Sequence, residues 1–216
     1  MTGMKILFSL ILAAGLANCA LAVETPLEVL EEINLARTCP KQYAQLLSER
    51  MVSARSPETR RCVTEAVAFL NKQKPLPPLE FSDGLMLGAQ LHVSDQGSRG
   101  TMGHAGSDHS RPWDRMAKFG HWTGSAGENI SYGYSDAKKI VATLIVDEGV
   151  PGRGHRKNIF SANFGVAGVA CGKHARFGSM CVIDFAGGFA QQGETKLASN
   201  SGDVRNWSSF DTLRPR

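Results

Sequence analysis

Apolar positions recur at helical spacing through the first two thirds of the chain and gather into short β-branched runs in the last third. Between Pro26 and Arg50, Leu27, Leu30, Ile33 and Leu35-Ala36 are separated by acids, the stripe of an amphipathic helix. Pro40 has no amide donor and crowds the preceding turn, so it ends or offsets that helix; Tyr43, Leu46 and Leu47 then resume the pattern. Glu58–Gln73 carries another stripe in Val63, Val67 and Phe69-Leu70. The proline-rich Lys74–Leu79 reads as an extended connector, because a residue before proline avoids the helical region. Ser82 or Asp83 can cap a helix over Gly84–Gln96, and Asp136 another over Ala137–Glu148. Pro112 suits the first turn of a short helix ending near Phe119-Gly120.

Gly97–Arg111 and Val146–Phe160 are loops by composition, and a further loop leads into Glu128–Tyr134, which alternates as a short strand or turn does. Phe164–Cys171 and Met180–Phe189 are β-branched, glycine-punctuated and joined by a turn-rich segment, so they predict an antiparallel hairpin. Helices first and paired strands last indicate an α+β fold rather than alternating α/β. From residue 191 to 216 the chain is polar and offers little to bury, which predicts a loosely held tail.

A length of 216 residues with 42% hydrophobic content fits one globular domain, expected here over 23–190. The net charge of +4 is modest, and no Lys/Arg block is interleaved with aromatics, so no nucleic-acid partner is expected. Met4-Lys5, the apolar run Ile6–Gly15 and the small residues of Ala20-Leu21-Ala22 look like a secretory leader over 1–22. The run is too short to span a bilayer, so the mature chain is expected to carry no transmembrane segment. The expected location is secreted and extracellular, or periplasmic in a bacterium. Cys39, Cys62, Cys171 and Cys181 remain after the leader, and in an exported chain they suggest two disulfides. Local pairing, Cys39–Cys62 and Cys171–Cys181, is preferred over the alternatives because each pair brackets one supersecondary unit.

His104, Glu128, Asp147, Glu148 and His155 stand in or beside glycine-rich segments, where site residues are usually mounted. Brought together, they can bind a divalent metal, zinc foremost, since imidazole and carboxylate suit that ion. They can equally do acid/base work, or form a polar network that only fixes loops; spacing does not choose. There is no HExxH helix, no G-x-S-x-G elbow, no P-loop and no dinucleotide fingerprint. Asp114 and Arg115 read as loop staples, and His92 as a packing or capping residue.

Several segments together resemble the CAP superfamily, the SCP-like domain of cysteine-rich secretory proteins, antigen 5 and pathogenesis-related proteins. They are INLAR at Ile33–Arg37, GHAGSD at Gly103–Asp108, WDRM at Trp113–Met116, AGENIS at Ala126–Ser131 and RGHRKNIF at Arg153–Phe160, closed by GVAGVACG and VIDFAGG. The GHR-x-N form is more like the bacterial SCP-like proteins. The resemblance implies an α-β-α sandwich with a central antiparallel sheet flanked by helices, and a cleft with two histidines and two acids. Carried over, these fall on His104, Glu128 and His155; the second acid lands on Asp147, with Glu148 adjacent, and Leu144 stands where the family often has tryptophan. The expected function is an extracellular binding or effector module with a metal-capable cleft, whose partner is an extracellular protein, a peptide, or a lipid or sterol. A metal-dependent peptide or ester hydrolase using the same cleft, or a lipid/sterol binder with Met86, Leu87 and Met116 along a groove, are the alternatives.

Overall fold

Three of the first helices begin on a proline, whose fixed φ and missing donor suit the first helical position. They are α1 (Pro26–Thr38), α2 (Pro40–Arg50) and α3 (Pro57–Lys72), seen in a computed structural model that describes residues 26–50 and 56–192. Pro40 thus offsets one stripe into two helices, as its chemistry predicts. The chain continues through β1 (Glu80–Phe81), α4 (Asp83–Arg99), α5 (Pro112–Met116) and β2 (Gly120–Tyr132). It closes with α6 (Ala137–Val146), a 3-10 turn (Pro151–Arg153), α7 (Gly154–Ile159), β3 (Val166–His174) and β4 (Gly178–Gln191). The caps are the anticipated ones: Ser82 accepts from Leu85 N at the start of α4, and Asp136 from Lys139 N at the start of α6.

The four strands lie in the order β1-β3-β4-β2. β4 pairs antiparallel with both β2 and β3, while the two-residue β1 adds on parallel to β3. Along β4, alternate residues serve opposite faces. Ile183 and Phe185 pack with Ile33, Tyr43, Leu47, Leu70, Ile140 and Ile145, beneath α1, α2, α3 and α6. Met180, Val182 and Ala186 pack on the other face with Leu85, Ala89, Val93 and Met116, beneath α4 and α5. The result is an α+β fold in three layers, α-β-α. Helix α4 lies very close to the sheet: a Cβ on Gly168 of β3 would stand 2.0 Å from Met86 N. Arg37, buried in α1, donates to the carbonyls of Pro77, Ile159, Ser161 and Phe164 and so ties α1 to the exit of α7.

Three expectations are corrected. Gly120–Gly127, read as a loop, is the first half of β2; it lacks alternation because a bulge between Thr123 and Ala126, with Gly124 at φ 71°, interrupts the pairing to β4. Val146–Phe160 is not all loop but includes the 3-10 turn and α7. Cys171 and Cys181 face each other across β3 and β4 and form the expected disulfide, but Cys39 and Cys62 are free thiols. Cys39 is exposed at the corner between α1 and α2, whereas Cys62 is buried on α3 against Arg153 and Glu58, so the two sulfurs serve different surroundings.

The expected leader lies outside the described residues, as does the tail apart from its first two residues. There the strand runs one residue past the anticipated boundary: Gln191 pairs with Gly120, and Gln192 N donates to Phe119 O. Among the described residues no helix is long and apolar enough to cross a membrane.

Candidate functional site

Two consecutive residues of β2, Glu128 and Asn129, turn to opposite faces of an edge strand, and each holds one half of the site. On the α4 side the loop after α4 is fixed through Gly103. Its N–H donates to Tyr132 Oη (3.0 Å), and its carbonyl accepts from His92 Nε2 (2.9 Å) and Gln96 Nε2 (2.8 Å). His92 is fully buried, which lowers its pKa from the usual imidazole range, so it is a loop-holding group and no cleft residue. This anchoring sets His104 Nδ1 2.7 Å from Glu128 Oε1. Glu128 Oε2 in turn accepts from Arg115 Nη2 at 2.7 Å. Arg115 Nη1 also donates to the carbonyls of His104 and Ser110, so the residue staples the loop and pairs with the site acid at once. The imidazole of His104 is 52% exposed and the Glu128 carboxylate 1%, so the ring reaches out and the acid stands behind it.

On the other side, Asp147 ends α6 in the left-handed region at φ 56°, a conformation that Asp tolerates better than most residues. Its Oδ2 accepts from the backbone N–H groups of His155 and Arg156, capping α7, while Oδ1 lies 2.7 Å from His155 Nδ1. Arg156 closes α6 by donating to the Ile145 and Val146 carbonyls, and Arg153 donates to the carbonyl of Asp147. Both arginines meet Glu65 of α3; Arg153 foremost, then Arg156, hold that carboxyl down at about 2. Glu148, the other expected acid, turns away and accepts from Thr59 Oγ1 of α3 at 3.1 Å. Of the two candidate acids, Asp147 is the one that lies beside His155.

The halves are joined by amides. Asn129 donates to the carbonyl of His155 (3.0 Å), and Asn158 donates to Asn129 Oδ1 (2.8 Å) and to the carbonyl of Glu128 (3.3 Å). A recess of about 390 Å³ opens beside His104 and Glu128, walled by Ala105, Pro112 and Trp113, with Arg111 over the indole at 5.0 Å. Met116 is fully buried with Leu85 and Ala186, so it lines no groove.

The Cysteine-rich secretory protein family, CAP, matches residues 30–185. The chain belongs to this family. A relative from Bacillus subtilis (strain 168), described as "Uncharacterized protein YkwD", is 29% identical over 125 residues, 58% of this chain and 46% of that one. The chain thus spans less than half the length of that relative. An SCP-domain extracellular protein from Bacillus anthracis str. Ames is 23% identical, with a TM-score of 0.43 over 51% of this chain and 34% of that one. An outer surface protein from Borrelia burgdorferi is 18% identical, with a TM-score of 0.44 over 64% of this chain and 96% of that one.

In this CAP domain four of the five sequence-predicted residues meet as two imidazole–carboxylate pairs, and Glu148 joins neither. Among the described residues, no three or more His, Cys, Asp and Glu side chains converge as a metal-binding group. An acid at Nδ1 holds that nitrogen as the N–H donor and leaves the Nε2 lone pair as the outward one. Neither Nε2 has a protein partner among the described residues. Sequence reasoning missed Asn129, Asn158 and Arg156, and also Asp184, fully buried on β4 directly opposite Glu128. An acid among Val182, Ile183 and Phe185 was the available signal, since a charge seldom occupies an inward strand position without a partner.

Proposed function

We propose that this CAP domain is an extracellular binding or effector module whose cleft takes a divalent cation, zinc most readily, on Nε2 of His104 and of His155. The observation that carries the reading is the occupation of both Nδ1 atoms by buried carboxylates, the arrangement that orients an imidazole toward a metal. The donors fit zinc in kind, but the described residues form no closed four-ligand cage, so the site is an open one that water or a ligand's own donors complete. Glu128 and Asp147 stand behind the rings rather than facing the ion. The cation would supply a Lewis-acid contact for an oxygen or nitrogen donor of a bound partner. The protein's part is to hold the two rings in one tautomer, through Arg115 and Glu128 on one side and the cap of α7 on the other. An extracellular setting is supported by the family and by the Cys171–Cys181 disulfide, a bond that persists chiefly outside reducing compartments.

The test is the thermal midpoint of the mature chain with and without zinc, since an ion bound only by the native state raises it. A rise is expected in the wild type, and none in His104→Ala/His155→Ala. Persistence of the rise in the double variant places the ion elsewhere and ends the reading.

A further inference from the structure

A trough of about 690 Å³ lies over the turn end of the β3–β4 hairpin and shares no residue with the cleft. Tyr134 and Ser135, just before α6, form one wall, Lys173 and Phe177 line the hairpin side, and the Cys171–Cys181 disulfide opens into it. The bond joins directly opposed residues of neighbouring strands. Its two sulfurs are not equivalent, since Cys171 is partly exposed and Cys181 is buried.

Topology separates them further. Thiol–disulfide exchange is a displacement at sulfur through a mixed disulfide, so the attacking thiolate, the attacked sulfur and the leaving sulfur lie in line. Attack on Cys181 would have to come from the side of β4 away from β3, where β2 already lies and Ser131 stands opposite Cys181. Attack on Cys171 comes from the side of β3 away from β4. There the short β1 pairs only with Val166 and Ala167, so among the described residues no strand flanks Cys171 on that side. Cys171 is therefore the less hindered sulfur, and Cys181 becomes the leaving group.

Charge selects the attacking thiol. Lys173 follows Cys171 by two residues, so alternation puts its exposed side chain on the same face, at the trough. Lys139 lies over the Tyr134 ring at 4.8 Å and Arg176 over the Phe177 ring at 5.0 Å, so both aromatic residues of the trough carry a cation. Asp136, the acid of the same loop, is occupied in capping α6 through Lys139 N. A thiolate that carries carboxylates is drawn to such a rim, and a cationic thiol is not.

We propose that the Cys171–Cys181 pair is a thiol–disulfide exchange site for a small anionic thiol. The thiolate attacks Cys171 Sγ, a new S–S bond joins it to Cys171, and the Cys171–Cys181 bond breaks. Its electron pair leaves on Cys181, which takes a proton from solvent. A second thiolate attacks the small-molecule sulfur of this mixed disulfide and expels Cys171. Two small thiols are thereby oxidised to their disulfide, and the protein's disulfide is reduced to two thiols. Backbone pairing from Val166–Ala186 to His174–Gly178 keeps the two cysteines opposite each other, so the reverse reaction closes the bond again.

The experiment uses the chain produced from Val23 onward with Cys39→Ser, because the exposed Cys39 would itself exchange. The folded protein is incubated with glutathione, or with cysteamine as the cationic counterpart, quenched in acid, alkylated and mapped by mass spectrometry. A glutathione adduct on Cys171 with Cys181 free is expected, formed faster than the chain unfolds in a urea jump extrapolated to water. An adduct on Cys181 instead, or exchange no faster than unfolding, overturns the proposal. Lys173→Glu should slow glutathione roughly two- to fivefold at low salt, the weight of one exposed charge, and leave cysteamine no slower. An unchanged glutathione rate, or equal slowing of both thiols, would overturn the selection of an anionic thiol. His104 and His155 are untouched in these variants, so the result is independent of any zinc-induced rise.

Discussion

Asp147 and His155 are joined twice: Oδ1 of the acid lies 2.7 Å from the imidazole Nδ1, and Oδ2 accepts the histidine's own backbone N–H at 2.9 Å. One carboxylate thus starts α7 and orients the ring that α7 carries, so the stability of the turn and the pose of the imidazole are coupled. Asp147→Gly keeps the left-handed backbone without strain and removes only the carboxylate. It should cost roughly 0.5–2 kcal/mol in urea unfolding, the range for a lost capping side chain, and should shrink the zinc-induced rise. Asp147→Ala should cost more, since alanine adds roughly 1–2 kcal/mol of left-handed strain. Equal losses in the two variants would show that the backbone conformation contributes nothing.

Arg115 is buried, and its guanidinium is shared between Glu128 and two loop carbonyls. Removing one partner of a buried pair leaves the other charge uncompensated, which typically costs about 3–5 kcal/mol. Arg115→Met should therefore be among the most damaging substitutions in the domain, measured by urea unfolding, and far worse than Arg111→Met on the exposed Asp114 pair, where roughly 0–1 kcal/mol is expected. Similar costs for the two would mean that Arg115 acts only as a loop staple.

Arg115 and Asp184 also show what could be read from the chain before folding. Helices α1 to α4 and α6, the hairpin and the His104, Glu128, Asp147 and His155 set follow from periodicity, capping and the family resemblance, all of which are local or order-based signals. Arg115 was legible as a staple because its arginine follows a proline-started turn, but not as the partner of Glu128, thirteen residues on, which only the return of β2 brings near. Asp184 depends on strand register, and a shift of one residue would have put it on the other face. The first half of β2 was hidden because its bulge breaks the period of two. The Cys39–Cys62 pairing failed because helix orientation, rather than closeness in sequence, decides whether two sulfurs meet.

The thiols give a chemical check on that last correction. In a chain produced from Val23 onward, a thiol-specific reagent should label Cys39 rapidly and Cys62 only on unfolding, since the first is exposed and the second buried. Cys171 and Cys181 should resist labelling until reduced. Reduction, or the paired Cys171→Ser/Cys181→Ser change, should lower stability by about 2–4 kcal/mol in the usual range for a disulfide. Finding Cys39 and Cys62 unreactive in the denatured, unreduced chain would restore their pairing.

Acid should act through Glu65. Arg153 and Arg156 hold its carboxyl at about 2, below an ordinary value of 4.5, so the folded state favours the charged form. For a depressed carboxyl the stabilisation is complete above the unfolded pKa and disappears as pH falls through the folded one, here between 4.5 and about 2. The wild type should therefore exceed Glu65→Gln in thermal midpoint at pH 6, and the two curves should converge as pH falls through that interval. Asp95 and Asp114, also held low by their own partners, titrate in both proteins and cancel in the difference. The Glu65 side chain is 46% exposed, so solvent screens the pair and salt should narrow the gap. Parallel curves from pH 6 to 2 would mean that the two arginines are held by the α6 carbonyls and by Asp147 alone, with α3 contributing no charge to the support of His155.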